Sequence, residues 1–199
     1  MGQPWHYHRL MKIRTAEMKD VSQIAKLINY WAEYGVMLHR SLDTLYEQVR
    51  HFHVAVEGQK VIGVCGLKVV WSHLGEVYAL AVAKGHQGKG VGKKLVRACI
   101  ASAEALGIKR LMTLTYEAIF FDKLGFVLVD REDLPLKVWS ECLSCAKNHA
   151  CDEIAMMLVL ENVTEVLGDG GTSQSLGVYD VPVPITISVS REGPRQRMD

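Results

Sequence analysis

Apolar positions recur along this chain with two periods, and the switch between them marks the elements. Val21, Ile24, Leu27, Ile28 and Trp31 fall three and four residues apart, the spacing of one helix face, and Gly35 supplies a stop. Asp20 is placed to cap that helix, with Gln23 three residues on as a capping-box partner. Upstream, Met11-Lys12-Ile13-Arg14 reads as a first strand, and Ser41 opens a second short helix through about Arg50 with Leu42, Leu45 and Val49 on one face. Phe52 to Val56 and Val61 to Val70 are β-branched, apolar runs separated by Glu57-Gly58-Gln59-Lys60, which is hairpin turn chemistry. Glu76 to Val82 predicts a further strand. Gly90 to Leu106 predicts a helix, with Val91, Leu95, Cys99 and Ala103 at i, i+4 spacing and Gly107 at its end. Arg110 to Thr115, Phe126 to Val129 and Glu153 to Leu160 read as strands, with a short helix near Glu117 to Leu124 stopped by Gly125.

That order, strand, two helices, three strands, helix, strand, helix, strand and a late strand, predicts an α+β fold. Its front half should be antiparallel, with a parallel crossover around the Gly90 helix. At 199 residues the chain holds one ordinary domain with a remainder. We divide it into an extension at 1–10, one domain at 11–161 and a polar tail at 162–199. The tail opens with Gly168-Asp169-Gly170-Gly171-Thr172-Ser173, a linker signal. Val178 to Val189 forms one extra strand at most, confined to an edge by Pro182 and Pro184.

The segment with the most chemistry is Ala79 to Gly92, an apolar strand that runs into a glycine-rich loop and directly on into a helix. Gly88, Gly90 and Gly92 alternate with Lys89 and Val91, so backbone N–H groups can converge without Cβ atoms in the way. The helix adds its unsatisfied first-turn donors and the positive end of its dipole, which together suit a pyrophosphate. Two commoner phosphate motifs do not fit. Gly92 is followed by Lys93-Lys94-Leu95 and not by the hydroxyl of a P-loop. Gly88 to Lys93 lacks the third glycine of the dinucleotide fingerprint.

Composition narrows the partners. The net charge is +1 with acids and bases balanced, so nothing electrostatic favours nucleic acid or an anionic membrane. The longest apolar runs are strand-sized, far short of the ~20 residues that span a bilayer. Met1 to His8 lacks the basic and apolar regions of a signal peptide. Five cysteines, an odd number, argue for reduced thiols and a cytoplasmic protein. A homodimer is left open.

Gln87, Gly90 and Gly92 match the pattern Q/R-x-x-G-x-G/A, and here the chain resembles the GNAT acetyltransferases, within them the acetyltransferase domain of N-acetylglutamate synthases. The resemblance covers roughly Ile13 to Leu160. Ile13-Arg14-x-Ala16-x-x-x-Asp20 is similar to the family's opening, Leu38-His39-Arg40-Ser41 to the segment between its first two helices, and Glu76 to Val82 to its fourth strand. Phe120 to Phe126 resembles a late motif. Leu134-Pro135-Leu136-Lys137-Val138-Trp139, followed by Cys142, Cys145 and Cys151-Asp152-Glu153, is the most synthase-like block. Three departures stand out. The amino-acid-kinase-like domain of longer synthases has no counterpart, which implies a short form, the usual GNAT tyrosine falls at Phe121, which has no proton to give, and the tail after Leu160 matches no part of the family pattern.

The resemblance implies a mixed sheet with splayed fourth and fifth strands. It also implies acetyl-CoA as co-substrate, with no metal in the chemistry, and an amino-acid acceptor, glutamate, at the first step towards arginine. Its cofactor residues would be Leu80, Ala81 and Val82, for the pantetheine arm and thioester, and Gln87, Gly88, Lys89, Gly90, Val91, Gly92 and Lys93, for the pyrophosphate. Glu76 is the expected base and Tyr116 a substitute acid for Phe121. A dicarboxylate needs cations. Arg40 leads, with Ser41 beside it, and Lys68 and Lys137 follow. Cys142, Cys145 and Cys151 with His149 could form a zinc clip, against the alternative of reduced loop thiols. Another acceptor amine, or an acyl-CoA-binding regulatory module without turnover, are the competing functions.

Overall fold

The computed structural model describes residues 10–131, 134 and 152–160. Strand β1 is Lys12–Thr15, followed by helices α1, Val21–Ala32, and α2, Leu42–Glu47. Strands β2, Phe52–Glu57, β3, Lys60–Trp71, and β4, Leu74–Val82, form a meander, and helix α3, Val91–Ala105, carries the chain to β5, Arg110–Thr115. Helix α4, Ala118–Asp122, then β6, Val127–Leu128, and β7, Ile154–Val159, complete the described elements. Their sheet has the order β1-β2-β3-β4-β5-β7-β6, with β4 and β5 as its parallel pair.

Both faces of the sheet are covered, which is why β2 and β3 read as near-continuous apolar runs. On one face Val21, Ile24 and Ile28 of α1 and Leu45 of α2 pack on Phe52, Val54, Val64, Tyr78 and Ala81. On the other, Val91, Leu95, Val96 and Cys99 of α3 pack on Ala55, Ile62, Cys65, Leu67 and Val77. The period-2 alternation of strand side chains sorts these residues between the two cores.

Three expectations change. Asp20 precedes α1 but its carboxylate does not cap it. It takes both guanidinium nitrogens of Arg14, at 2.6 and 3.0 Å, and the Glu17 N–H at 2.8 Å, closing a capping box with Glu17 one turn earlier. Gln23 reaches across to the β2–β3 turn, donating to the Gln59 carbonyl and accepting from the Val61 N–H, each at 3.0 Å. The second helix ends at Glu47. Gln48 leaves helical geometry, and a 3-10 turn, Val49–His51, buries Val49 while steering the chain into β2. Strand β7, whose place the element order leaves open, inserts between β5 and β6 and pairs with both. The 1–10 extension up to Arg9, the 162–199 tail and its Val178 to Val189 strand lie outside the described residues. No described helix is long and apolar enough to cross a membrane.

Candidate active site

The site begins where the sheet comes apart. Strands β4 and β5 pair only at Leu74–Arg110, Gly75–Leu111 and Glu76–Met112, while β5 continues in register with β7 as far as Thr115. Past Glu76, the β5 side of β4 has therefore left its ladder. On its other side β4 carries a bulge. Tyr78 opposes Gly66 and Ala81 opposes Val64, so Ala79 and Leu80 together stand against Cys65. Ala79 has φ 50°, the one positive value at a described non-glycine residue. A bulge of this kind re-aims backbone N–H groups and costs about 1–3 kcal/mol of local strain. It falls on Ala79 and Leu80, at the start of the segment expected at the thioester.

The glycine loop follows directly. Gly88 and Gly90 have φ 71° and 77°, values that a residue with a Cβ rarely adopts. Gly90 is the N-cap of α3 and contributes no side-chain cap, so no side chain competes for the first-turn N–H groups of Val91, Gly92 and Lys93. Val91 is buried and pins this end of the helix to the core. A Cβ on Gly92 would stand 3.4 Å from Phe120 and 3.8 Å from Val82, so the helix start abuts the end of β4. The structure thus brings Leu80, Ala81 and Val82 together with the 87–93 loop along one lip of the splay. Trp31 of α1 reaches the same lip, its indole N–H donating to the Val82 carbonyl at 3.0 Å.

The face beneath α1 and α2 carries the charged residues. Glu76 and Lys68 are direct cross-strand partners with Nζ to Oε2 at 3.9 Å, both only partly exposed. Tyr78, two residues on, lies on the same face. The Arg40 guanidinium sits over its ring, 4.8 Å from the centroid. Asn29 of α1 holds the Arg40 backbone at both ends, accepting from its N–H at 2.9 Å and donating to its carbonyl at 3.0 Å. Arg40 Nη1 also donates to Gln48 Oε1 at 3.5 Å, and the Tyr78 hydroxyl donates to the same oxygen at 3.4 Å and lies 3.3 Å from His51 Nδ1. Arg40, Lys68 and Glu76 thus belong to one face, at the mouth of the splay.

The other expected residues are placed differently. The Ser41 hydroxyl caps α2, accepting from the Thr44 N–H at 3.4 Å and pairing with the Thr44 hydroxyl at 2.9 Å. Tyr116 follows β5 on the far lip of the splay and donates to Asp152 at 2.8 Å. Phe121 is core, edge-on to Phe120 and Phe126. Lys137, Cys142, Cys145, His149 and Cys151 lie outside the described residues, among which no group of three metal-donor side chains converges. Two other cysteines are buried together between β3 and α3, where the Cys65 thiol and then His53 hold Cys99 down to about 6 against the effect of burial.

Sequence reasoning missed Asn29, Gln48, His51 and Tyr78. The available signal was Gly66, a glycine inside a strand, which marks a close approach. A Cβ there would lie 2.4 Å from the Tyr78 ring.

Comparison with known proteins agrees with this geometry. The model of the acetyltransferase (GNAT) family matches residues 10–126. An uncharacterized N-acetyltransferase of Chlorobaculum tepidum is 35% identical over 148 residues, covering 74% of this chain and 96% of that one. The amino-acid acetyltransferase of Mycobacterium tuberculosis is 34% identical, over 65% of this chain and 75% of its own. Among solved structures, a Mycobacterium tuberculosis protein in complex with CoA aligns with a TM-score of 0.67 and 32% identity, over 75% of this chain and 99% of that one. N-acetylglutamate synthase from Neisseria gonorrhoeae, complexed with coenzyme A and N-acetyl-glutamate, aligns at 0.69 and 27%, over 76% of this chain but only 35% of the synthase.

Proposed function

Because the chain belongs to the acetyltransferase (GNAT) family, an N-acetyltransferase fold that takes its acyl group from acetyl-CoA, we propose that its acceptor is the α-amino group of L-glutamate. The observation that carries this reading is Arg40, a guanidinium held on the same face as Glu76 at the mouth of the splay. An arginine fork suits a carboxylate, and Lys68 stands nearby as a second cation. The names of the relatives, amino-acid acetyltransferases and an N-acetylglutamate synthase, point the same way. On this reading the reaction opens arginine synthesis, and the buried reduced thiols Cys65 and Cys99 suit the cytoplasm.

The chemistry assigned to each group follows from the reaction. The pyrophosphate lies against residues 87–93 and the pantetheine arm against Leu80 to Val82, where freed backbone N–H groups polarise the thioester carbonyl. Glu76 takes a proton from the acceptor ammonium, directly or through water. The amine then attacks the carbonyl carbon, and the C–S bond breaks as the tetrahedral oxyanion collapses. Tyr116 gives its hydroxyl proton to the thiolate, a role Phe121 cannot fill, and takes the proton that the new amide nitrogen releases.

The test is acetyl-CoA consumption with a panel of free amino acids, first with the unaltered protein and then with Arg40→Ala. Glutamate should lead the panel. Arg40→Ala should raise its KM on the order of 30-fold, about 2 kcal/mol for a lost charged pair, and leave the KM for acetyl-CoA unmoved. An equal rise in both constants would make Arg40 structural. A monocarboxylic amino acid at the head of the panel would replace glutamate as the acceptor.

A further inference from the structure

We propose that Tyr78 is a positioning residue that sets acceptor selectivity, by holding the Arg40 guanidinium where a substrate carboxylate meets it. The inference rests on the assignment of Arg40 to that carboxylate. Tyr78 is nearly buried, at 9% exposure, and its ring is seated on the bare backbone of Gly66, where even a methyl group would collide with it. Phe52 braces the ring from the side, with centroids 5.4 Å apart. The hydroxyl is tied to Gln48 and His51. A ring fixed on three sides presents its electron-rich face at one place, and the Arg40 guanidinium lies over it.

A free arginine side chain carries about 2 kcal/mol of rotamer entropy, which an ion pair must overcome. Here much of that ordering precedes the substrate. Asn29 fixes the Arg40 backbone, the Tyr78 ring attracts the cation and Gln48 accepts from Nη1. Gln48 Oε1 accepts from both Arg40 and Tyr78, so guanidinium and ring are held to one acceptor. Tyr78 also adjoins the bulged Ala79, which ties the carboxylate site to the strand segment expected at the thioester.

Because Tyr78 is packed in the core, the test varies its electrons and not its size. Tyr78→Phe removes the hydroxyl links and keeps the ring, and its acceptor KM sets the baseline for the series that follows. Placing 3,5-difluoro- and then pentafluorophenylalanine at position 78 withdraws density from the ring face at nearly constant shape. The acceptor KM should climb along that series by about two- to five-fold, the range of a cation–π contact, while the KM for acetyl-CoA stays level. The preference for glutamate over glutamine should fall in step. In an Arg40→Ala background the same series should be flat. If Arg40→Ala raises the acceptor KM but the fluorinated series does not move it, Tyr78 is packing and the proposal is overturned while the carboxylate assignment stands. If Arg40→Ala itself leaves the acceptor KM unchanged, the carboxylate assignment is what has failed.

Discussion

A carboxylate that is to take a proton from an ammonium group must begin ionised, and Glu76 begins beside the ammonium of Lys68. Glu76→Gln preserves size and hydrogen bonding but removes the basicity. At pH 7 it should lower kcat by about 100-fold or more, and the loss should shrink as rising pH deprotonates the acceptor unaided. A rate that survives at pH 7 would hand the proton to water or another group. Asp20 is the contrasting case, a charge with a structural job. The Arg14 hydrogen bond, helped by the Glu17 N–H, holds its carboxyl below the usual carboxylate range. The pair's stabilisation is therefore in place above the unfolded pKa of about 3.9 and drains away as pH falls through the lower folded value. Asp20→Asn should cost about 1–3 kcal/mol in urea unfolding at pH 7, because Arg14 loses its charged two-point partner and keeps only the longer Glu17 contact and the Thr15 carbonyl, and clearly less near pH 3. A cost that does not change with pH would mean the charge is not what matters.

At the scale of elements, the glycine loop and the start of α3 form one strand–loop–helix junction, which we propose as the anion seat. Gly92 takes no positive φ, so Gly92→Val probes that seat without the backbone strain a side chain would meet at Gly90. The new side chain crowds Phe120 and Val82, between the helix start and the end of β4. It should raise the KM for acetyl-CoA about ten-fold or more with the acceptor constant unmoved. A folded variant with unchanged affinity would move the pyrophosphate elsewhere. The geometry of this junction was legible in the sequence because strand, glycines and helix are contiguous there. The hairpin turn between β2 and β3 was legible for the same reason, whereas the end of α2 was not. Nothing local in Gln48-Val49-Arg50 breaks a helix, and what ends it is the need to bury Val49 while turning into β2. The capping of α1 was misread because Asp20 had a stronger partner in Arg14, which no helix-start pattern includes.

For the whole molecule, the mixed class could be derived from element order. The place of β7 between β5 and β6 could not, since register is set by tertiary pairing. Arg40 and Glu76, which we propose for the site, could be picked from residue type and the family pattern. Tyr78 could not, because a strand tyrosine reads as packing until its neighbours are known. Trp31 was likewise read only as a core position of α1, yet its indole ends on the Val82 carbonyl at the cofactor lip. The chain has four tryptophans, and this one carries a hydrogen bond to the strand along which the pantetheine arm should run. We expect this indole to act as a built-in optical probe. Titrating CoA into it should change the intrinsic emission saturably, and Trp31→Phe should abolish most of that change with CoA still bound by calorimetry. An unaltered signal in the variant would assign the response to another tryptophan. Donor occupancy would then be readable by eye of a fluorimeter during turnover, with no label added to either substrate.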